Sequence, residues 1–531
     1  MDAAPASSQP PTSDPPDATP PEAITDDRFA KWGVLRHRSY RIFWFAALGS
    51  YLGTWFEFVG TQWLVAQLTK STLWASALGA AQLLPTLFLG LLGGVVADRV
   101  NRRKLLITTQ VLMMLIAVAF ALVVLLDVAN TTVLLLLTLA QGVVIAFNNP
   151  AWQVMIPRLV PREDLTKAIT LQGISFNAAR AVGPALAGVI MASSNAGVLF
   201  AINAVSFVGV LLATFASPDA PAPLPMKGLF DLKTLWKDTR DSVLMVAHDK
   251  GLRAAMLASM IFAMFATPVL RFLPLFVSEV YGLQEATFGI MTGIMGVGAV
   301  FGGFAMRLVP AWYPKHHFIP LSVMLGGVWI FLFSLEANVW LAGVCMFFVG
   351  IFWMWAFNSS MAAMQMLVHD SVRGRVLAVC NTSAMGLMPV GSFAASIAGT
   401  ALAGSVLHFA PSYWDSGLET QLGIAFVSLI LIGAGVVMLI WRTPEVDGLA
   451  PGQPGHQRRP GFVRGLFAWA HKPTPAGPRC PECNLPLGNA FHIDDTVLCP
   501  RCETRTPPGE LLNVRAPQPP TRPEPELVAG K

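Results

Sequence analysis

Two sets of residues in this chain have the types and spacing that do chemistry. Glu57, Arg180 and Arg271 interrupt long apolar runs, and Cys480, Cys483, Cys499 and Cys502 form two Cys-x-x-Cys pairs with fifteen residues between them. An ionisable group within an apolar membrane-length helix costs about 2.5–3.5 kcal/mol at the helix centre, so it should face a cavity or a partner. At about 1.5 Å rise per residue, Glu57 lies roughly 22 Å and Arg180 roughly 18 Å beyond the start of its segment. Arg271 lies nearer the other end of its own, between Pro268 and Pro274, which bend a helix and free carbonyls. Burial disfavours a carboxylate and an adjacent cation favours it. Glu57 is therefore expected to pair with Arg180 or Arg271 in one conformation and to bind a proton in another, the alternative being a fixed structural ion pair.

The paired cysteines predict a structural zinc site, since four thiolates close a tetrahedral shell. A ribbon this small folds only with metal bound, and a redox pair or disulfide fits a cytoplasmic tail less well. Nothing near them supplies an open coordination position or a general base. A docking or sensing module, with a cytoplasmic protein as its partner, follows from that. Cys345 and Cys380 stand alone in apolar segments and read as packing residues.

A third group is Gly93-Gly94-Val95-Val96-Ala97-Asp98-Arg99-Val100-Asn101-Arg102-Arg103-Lys104, a short turn between two apolar helices. Its cations should hold the turn in the cytoplasm. Asp98 sits at a helix C-terminus, where the macrodipole disfavours an anion, so it needs Arg102, Arg103 or the end of another helix as partner.

The elements that position these residues follow from composition. The chain has 531 residues, is 54% hydrophobic and 13% charged, and has a mean hydropathy of +0.56. Soluble proteins carry about 25% charged residues, so this is an integral membrane protein. Twelve stretches, the first near 42–68 and the last near 422–441, are long and apolar enough to span a bilayer. The net charge of +5 is no nucleic-acid signal, because the cations sit in loops between spans. Five precede span 1, four follow span 2, three follow span 4, six follow span 6, two follow span 8 and two follow span 10, whereas the opposite loops hold Lys70 alone. That alternation places both termini in the cytoplasm.

The chain also repeats. Val182-Gly183 is echoed by Val390-Gly391, and Gly93-Gly94 by Gly302-Gly303, although Arg307 stands where a second Asp is expected. Two pseudo-symmetric six-helix halves follow, 31–217 and 252–442, with the substrate site at mid-depth between them. Residues 1–30 have neither the basic nor the apolar region of a signal peptide and read as a disordered lead. Residues 218–251 form a cytoplasmic linker in which Phe230, Leu235, Val243 and Val246 suggest an amphipathic helix, on the membrane face or solvated. A flexible stretch, 443–476, precedes the zinc ribbon, 477–510, and a disordered end, 511–531.

The turn from Gly93 to Lys104 resembles the signature between helices 2 and 3 of the major facilitator superfamily. Trp63–Ser71, Asn149-Pro150-Ala151, Leu159–Leu165 and Asn177–Gly188 are similar to the branch holding the enterobactin exporter and macrolide efflux pumps. The resemblance runs from about Arg36 to Arg442 and leaves out the cysteine-rich tail. It implies a monomeric secondary transporter that exports a hydrophobic or amphipathic molecule against proton entry, with no cofactor for transport. Gly94, Asp98, Arg99, Arg102 and Arg103 would then latch the cytoplasmic side. Gly183-Pro184 with Gly188 resembles the span 5 motif of drug antiporters and implies that spans 5 and 8 meet across the halves. Gly289, Gly293, Gly298 and Gly302 give span 8 the same small-residue character. One departure is Thr138, where those antiporters carry an Arg three residues before Gln141-Gly142. No nucleotide-binding loop is present. The rival readings are a lysophospholipid flippase and a membrane-tethered sensor or scaffold working through its zinc ribbon.

Overall fold

Asparagine and aspartate side chains start many of the helices. Asn101, Asn130, Asn195, Asp249 and Asn338 each accept a hydrogen bond from a backbone N–H two or three residues on, satisfying donors that a helix start leaves unpaired. The computed structural model describes residues 33–216, 240, 242–309, 313–368, 370–409 and 417–447, and three short stretches in the tail. Among them lie twelve helices long and apolar enough to cross a membrane. These are α1 (Arg38–Thr69), α2 (Thr72–Arg99), α3 (Arg102–Leu125), α4 (Thr131–Met155), α5 (Leu165–Ser193) and α6 (Ala196–Phe215) in the first half. The second half holds α7 (Lys250–Leu275), α8 (Glu285–Ala305), α9 (Lys315–Leu335), α10 (Val339–Leu367), α11 (Asp370–Phe409) and α12 (Leu418–Ile440). Just beyond Pro274, α7 passes into a π-turn over Phe276–Val280.

The two halves are built alike. α1 packs on α5 and α6, α2 on α4, and α3 on α6; α7 packs on α11 and α12, α8 on α10, and α9 on α12. The repeated glycines do equivalent work. Gly93 of α2 lies against Ala146 of α4, and Gly302 of α8 lies against Ile351 of α10. Gly183 of α5 meets Trp55 of α1, and Gly391 of α11 meets Met264 of α7. Each equivalence reproduces the echo in the sequence.

Between the halves, α5 packs on α8 and α2 on α11. A Cβ on Gly188 would stand 2.8 Å from the Gly289 Cα, and one on Gly293 would stand 2.8 Å from the Ala185 Cβ, so bare backbone is what lets α5 and α8 touch. Gly298 and Gly302 do not join this seam; they face Phe347 and Ile351 of α10 in their own half. At about 100° per residue, the nine-residue step from Gly289 to Gly298 is a turn of about 180°, which sends the later pair to the opposite side of α8.

The halves are tied most firmly at the face opposite both ends of the bundle. There Lys70 Nζ lies 3.5 Å from Glu279, and Thr72 Oγ1 bonds Ser396 at 2.7 Å and donates to Glu419 at 2.8 Å. Trp63 stacks on Phe288 nearby, with centroids 6.2 Å apart. The deepest polar tie is at mid-depth, where Arg271 Nη2 donates to Gln82 at 2.8 Å. Among the described residues, no hydrogen bond or ion pair joins the halves between that level and the face carrying both ends.

Of the linker, residues 242–248 are helical; Val246 is buried beside Leu252 and Val446, while Val243 is exposed. Phe230 and Leu235 lie outside the described residues. In the tail, β1 (Phe491–Ile493), β2 (Thr496–Leu498) and β3 (Arg505–Thr506) form an antiparallel sheet in that order. Cys480, Cys483, Cys499 and Cys502 lie outside the described residues, as does the lead 1–30.

Candidate functional site between the two halves

Glu57 is buried on α1, and both of its partners are amides. Asn203 Nδ2 of α6 donates to Glu57 Oε2 at 2.6 Å, and Gln141 Nε2 of α4 donates to the same oxygen at 3.4 Å. Gly53, one turn earlier on α1, makes the first bond reachable: a Cβ there would collide with the Asn203 side chain and stand 2.7 Å from Ser206 Oγ. Neither arginine partners Glu57 in this arrangement.

Arg271 reaches from α7 into the first half. Besides its bond to Gln82, its Cζ stands 5.5 Å over the Phe58 ring, a cation–π contact. A Cβ at Gly79 of α2 would be 3.0 Å from Nε, so this glycine clears the space that the guanidinium fills. Its Nη1 is buried and has no hydrogen-bond partner among the described residues. Arg180 is half-buried on α5, and its guanidinium makes no hydrogen bond or ion pair among the described residues. On the same face of α5, Phe176 meets Tyr51 edge-on at 5.3 Å and Gly183 meets Trp55. Trp55 in turn meets Phe58 edge-on at 5.5 Å. Tyr51, Trp55 and Phe58 thus form one aromatic stripe on α1 that passes both arginines. The polar centre on α1, α2, α4, α6 and α7 can exchange a proton at Glu57 and offer hydrogen-bond donors at Arg271.

At the face carrying both ends, the basic turn caps helices. Arg102 Nε donates to the Ala97 carbonyl at 3.3 Å, at the end of α2. Arg103 donates through Nε to Thr214 at 3.1 Å and through Nη2 to Phe215, both carbonyls at the end of α6. Cations at helix C-termini satisfy orphan carbonyls and suit the macrodipole. Asp98 and Arg99 close α2, and their side chains lie outside those described. A Cβ on Gly94 would meet nothing within 4 Å; the close-packed member of the pair is Gly93.

Residue types alone did not reveal a second charged cluster at this face. Asp164, in the turn before α5, accepts from Arg36 Nη2, His37 Nε2 and Lys167 Nζ, each at 2.9 Å. Tyr40 Oη donates to the Ala168 carbonyl at 2.8 Å beside it. Asn203, Gln141 and Gln82 were also missed as functional residues. The signal for them was present as uncharged polar side chains in otherwise apolar helices, beside the two charged positions that drew attention.

Twelve apolar helices in two like halves, with Arg271 of one bonded to Gln82 of the other, have the architecture of a multi-pass membrane transporter of the major facilitator type. The model of the transmembrane secretion effector family matches residues 29–413, and this chain belongs to that family. It is 25% identical over 356 residues to the staphyloferrin A transporter of Staphylococcus aureus, covering 65% of this chain and 86% of that protein. It is 22% identical over 342 residues to macrolide efflux protein A of Streptococcus pyogenes, covering 62% and 82%. Among solved structures it is similar to an inward-facing bacterial homologue of the human lysosomal transporter Spinster. The TM-score there is 0.57 at 14% identity, over 77% of this chain and 96% of the other, a likeness of fold alone.

Proposed function

We propose that this transporter exports an amphipathic small molecule from the cytoplasm in exchange for protons. The observation that carries the reading is Glu57, a carboxyl buried at the centre of the bundle and held by two amides with no cation on it. An amide partner leaves a carboxyl free to change protonation state, because an amide can present either a donor or an acceptor. The name of one relative, macrolide efflux protein A, supports export. The cations flanking the ends of the bundle support a cytoplasmic placing of that face. In that orientation the ties at the opposite face close the outside, and the cargo cavity opens inward. Rocking the halves about the α5–α8 and α2–α11 seams would reverse this, with Asp98 and its neighbouring cations latching the inner side. The tail adds a structural zinc ribbon held by its four cysteines.

The test is accumulation of a compound panel in intact cells with and without the protein, each with and without an uncoupler. Removing the protein should raise accumulation of at least one compound, and the uncoupler should abolish the difference. Equal accumulation in all arms across the panel sinks the proposal.

A further inference from the structure

We infer that the polar centre of the bundle binds cargo through a carboxylate-type anionic group, with Arg271 of α7 and Arg180 of α5 as its cations. This rests on the exporter reading above and adds to it the charge of the cargo.

Among the described residues, the middle of the membrane-spanning helices holds two guanidinium groups and one carboxylate, whose side-chain partners are both amides. Arg271 is only 5% exposed, yet Nη1 has no hydrogen-bond partner among them. Gln82 holds Nη2, the Phe58 ring lies under Cζ, and Gly79 leaves room beside Nε. The guanidinium is therefore fixed on three sides by uncharged groups, with a donor left over. A guanidinium stays charged in a protein, and a buried charge without a counter-ion is costly. Planar paired donors match a carboxylate better than any neutral acceptor.

Arg180 supplies the second cation. It shares a face of α5 with Phe176 and Gly183, which lie against Tyr51 and Trp55 of α1. Trp55 continues to Phe58 and so to Arg271. The aromatic stripe between the two arginines can take the apolar body of a ligand whose anionic group the arginines hold. Cargo binding would also neutralise charge that the helices on their own leave unbalanced. A cationic ligand would meet two like charges here.

Binding of dansylated amino acids to purified full-length protein in detergent tests this, read by energy transfer from tryptophan to dansyl. Dansyl-phenylalanine, dansyl-leucine and dansyl-glycine are each compared with their methyl esters. At least one acid should bind tenfold or more tightly than its ester. Arg271→Gln and Arg180→Gln should each lower that ratio at least fivefold, and Arg271→Lys should keep part of it. Lys250→Ala, at the exposed start of α7 and outside every contact between the halves described above, controls for general damage and should leave the ratio unchanged. Arg180 has no hydrogen-bond or ion-pair partner among the described residues, so its variant remains informative even if Arg271→Gln folds poorly. Esters binding as well as acids in every pair, a preference surviving both arginine variants, or no acid bound at all would each overturn the inference. Acid-selective binding without any effect of the protein on cellular accumulation would count against export alone and leave the anion site standing.

Discussion

Asn203 Nδ2 donates to Glu57 Oε2 at 2.6 Å and so joins α6 to α1 across 146 residues of sequence. The bond exists because Gly53 has no side chain where Asn203 passes. An arginine at the same place would pin the carboxyl in its charged form. The amide holds it in position without adding a charge, and the same carboxyl accepts from Gln141 of α4.

Glu57→Gln should therefore fold and bind cargo but lose the dependence of transport on the proton gradient. Gln fills the same volume and can still meet both amides. Counterflow of cargo in proteoliposomes should persist, while gradient-driven transport falls at least tenfold. Asn203→Leu removes a charge-assisted hydrogen bond, worth about 1.5–3 kcal/mol, and should lower thermal stability in detergent by that order. Full gradient-driven transport in Glu57→Gln would remove this carboxyl from the mechanism.

The α5–α8 seam should be far less tolerant of added bulk than the spacing of glycines suggests. A Cβ on Gly289 would stand 2.6 Å from the Gly188 Cα. Gly289→Val should force the halves apart at this seam, at a cost of about 1–3 kcal/mol, and cut transport more than tenfold with expression retained. Gly298→Val instead strikes the Phe347 backbone within the second half, so it should lower expression and thermal stability first. Indistinguishable behaviour of the two variants would show that the seam has no special role.

Twelve helices were legible because a bilayer demands long apolar segments, whereas the Asn and Asp caps at five of their starts are seen only in the structure. The two like halves were legible in paired glycines such as Gly183 and Gly391. What the sequence could not show is which polar residues meet. Glu57 and Arg271 were visible as charges in apolar runs, but their partners Asn203 and Gln82 are uncharged and lie 146 and 189 residues away. Gly298 shares the small-residue character of span 8, but the five-residue step from Gly293 turns it away from α5 and toward Phe347. Asp164 looked like an ordinary loop acid until His37 and Arg36 were brought beside it by the packing of α1 on α5.

Asp164→Ala should loosen the start of α1 from the start of α5. The carboxylate is nearly buried and takes three donors, whereas Arg36 and Lys167 are 45% and 68% exposed. Screening makes those two outer pairs weak, within about 0–1 kcal/mol each. The buried bond to His37 dominates, and its loss leaves the imidazole only the 3.5 Å approach of Arg36 Nε, so the total should be about 2 kcal/mol. Thermal unfolding in detergent should show this as a lower midpoint, and hydrogen exchange should rise at residues 33–41 and 162–168. Unchanged exchange at both segments would mean that packing of Tyr40 and Phe43 holds the corner unaided.

The tail should carry one zinc ion per chain, bound independently of transport. Its strands are only two or three residues long, and β2 stops at Leu498, immediately before Cys499, while β3 starts shortly after Cys502. Strands this short seldom bury enough apolar area to hold a fold by themselves, whereas a structural zinc contributes about 10–16 kcal/mol in fingers of this size. Metal analysis of the purified full-length protein should give about one zinc per chain, falling to none in Cys480→Ser with Cys499→Ser. Removing residues 477–531 should leave cellular export within about twofold of the intact chain, because no residue of the central site lies there. Loss of export on that truncation would move the working part of the protein from the membrane bundle to its tail, and absence of zinc would leave the two cysteine pairs to redox chemistry.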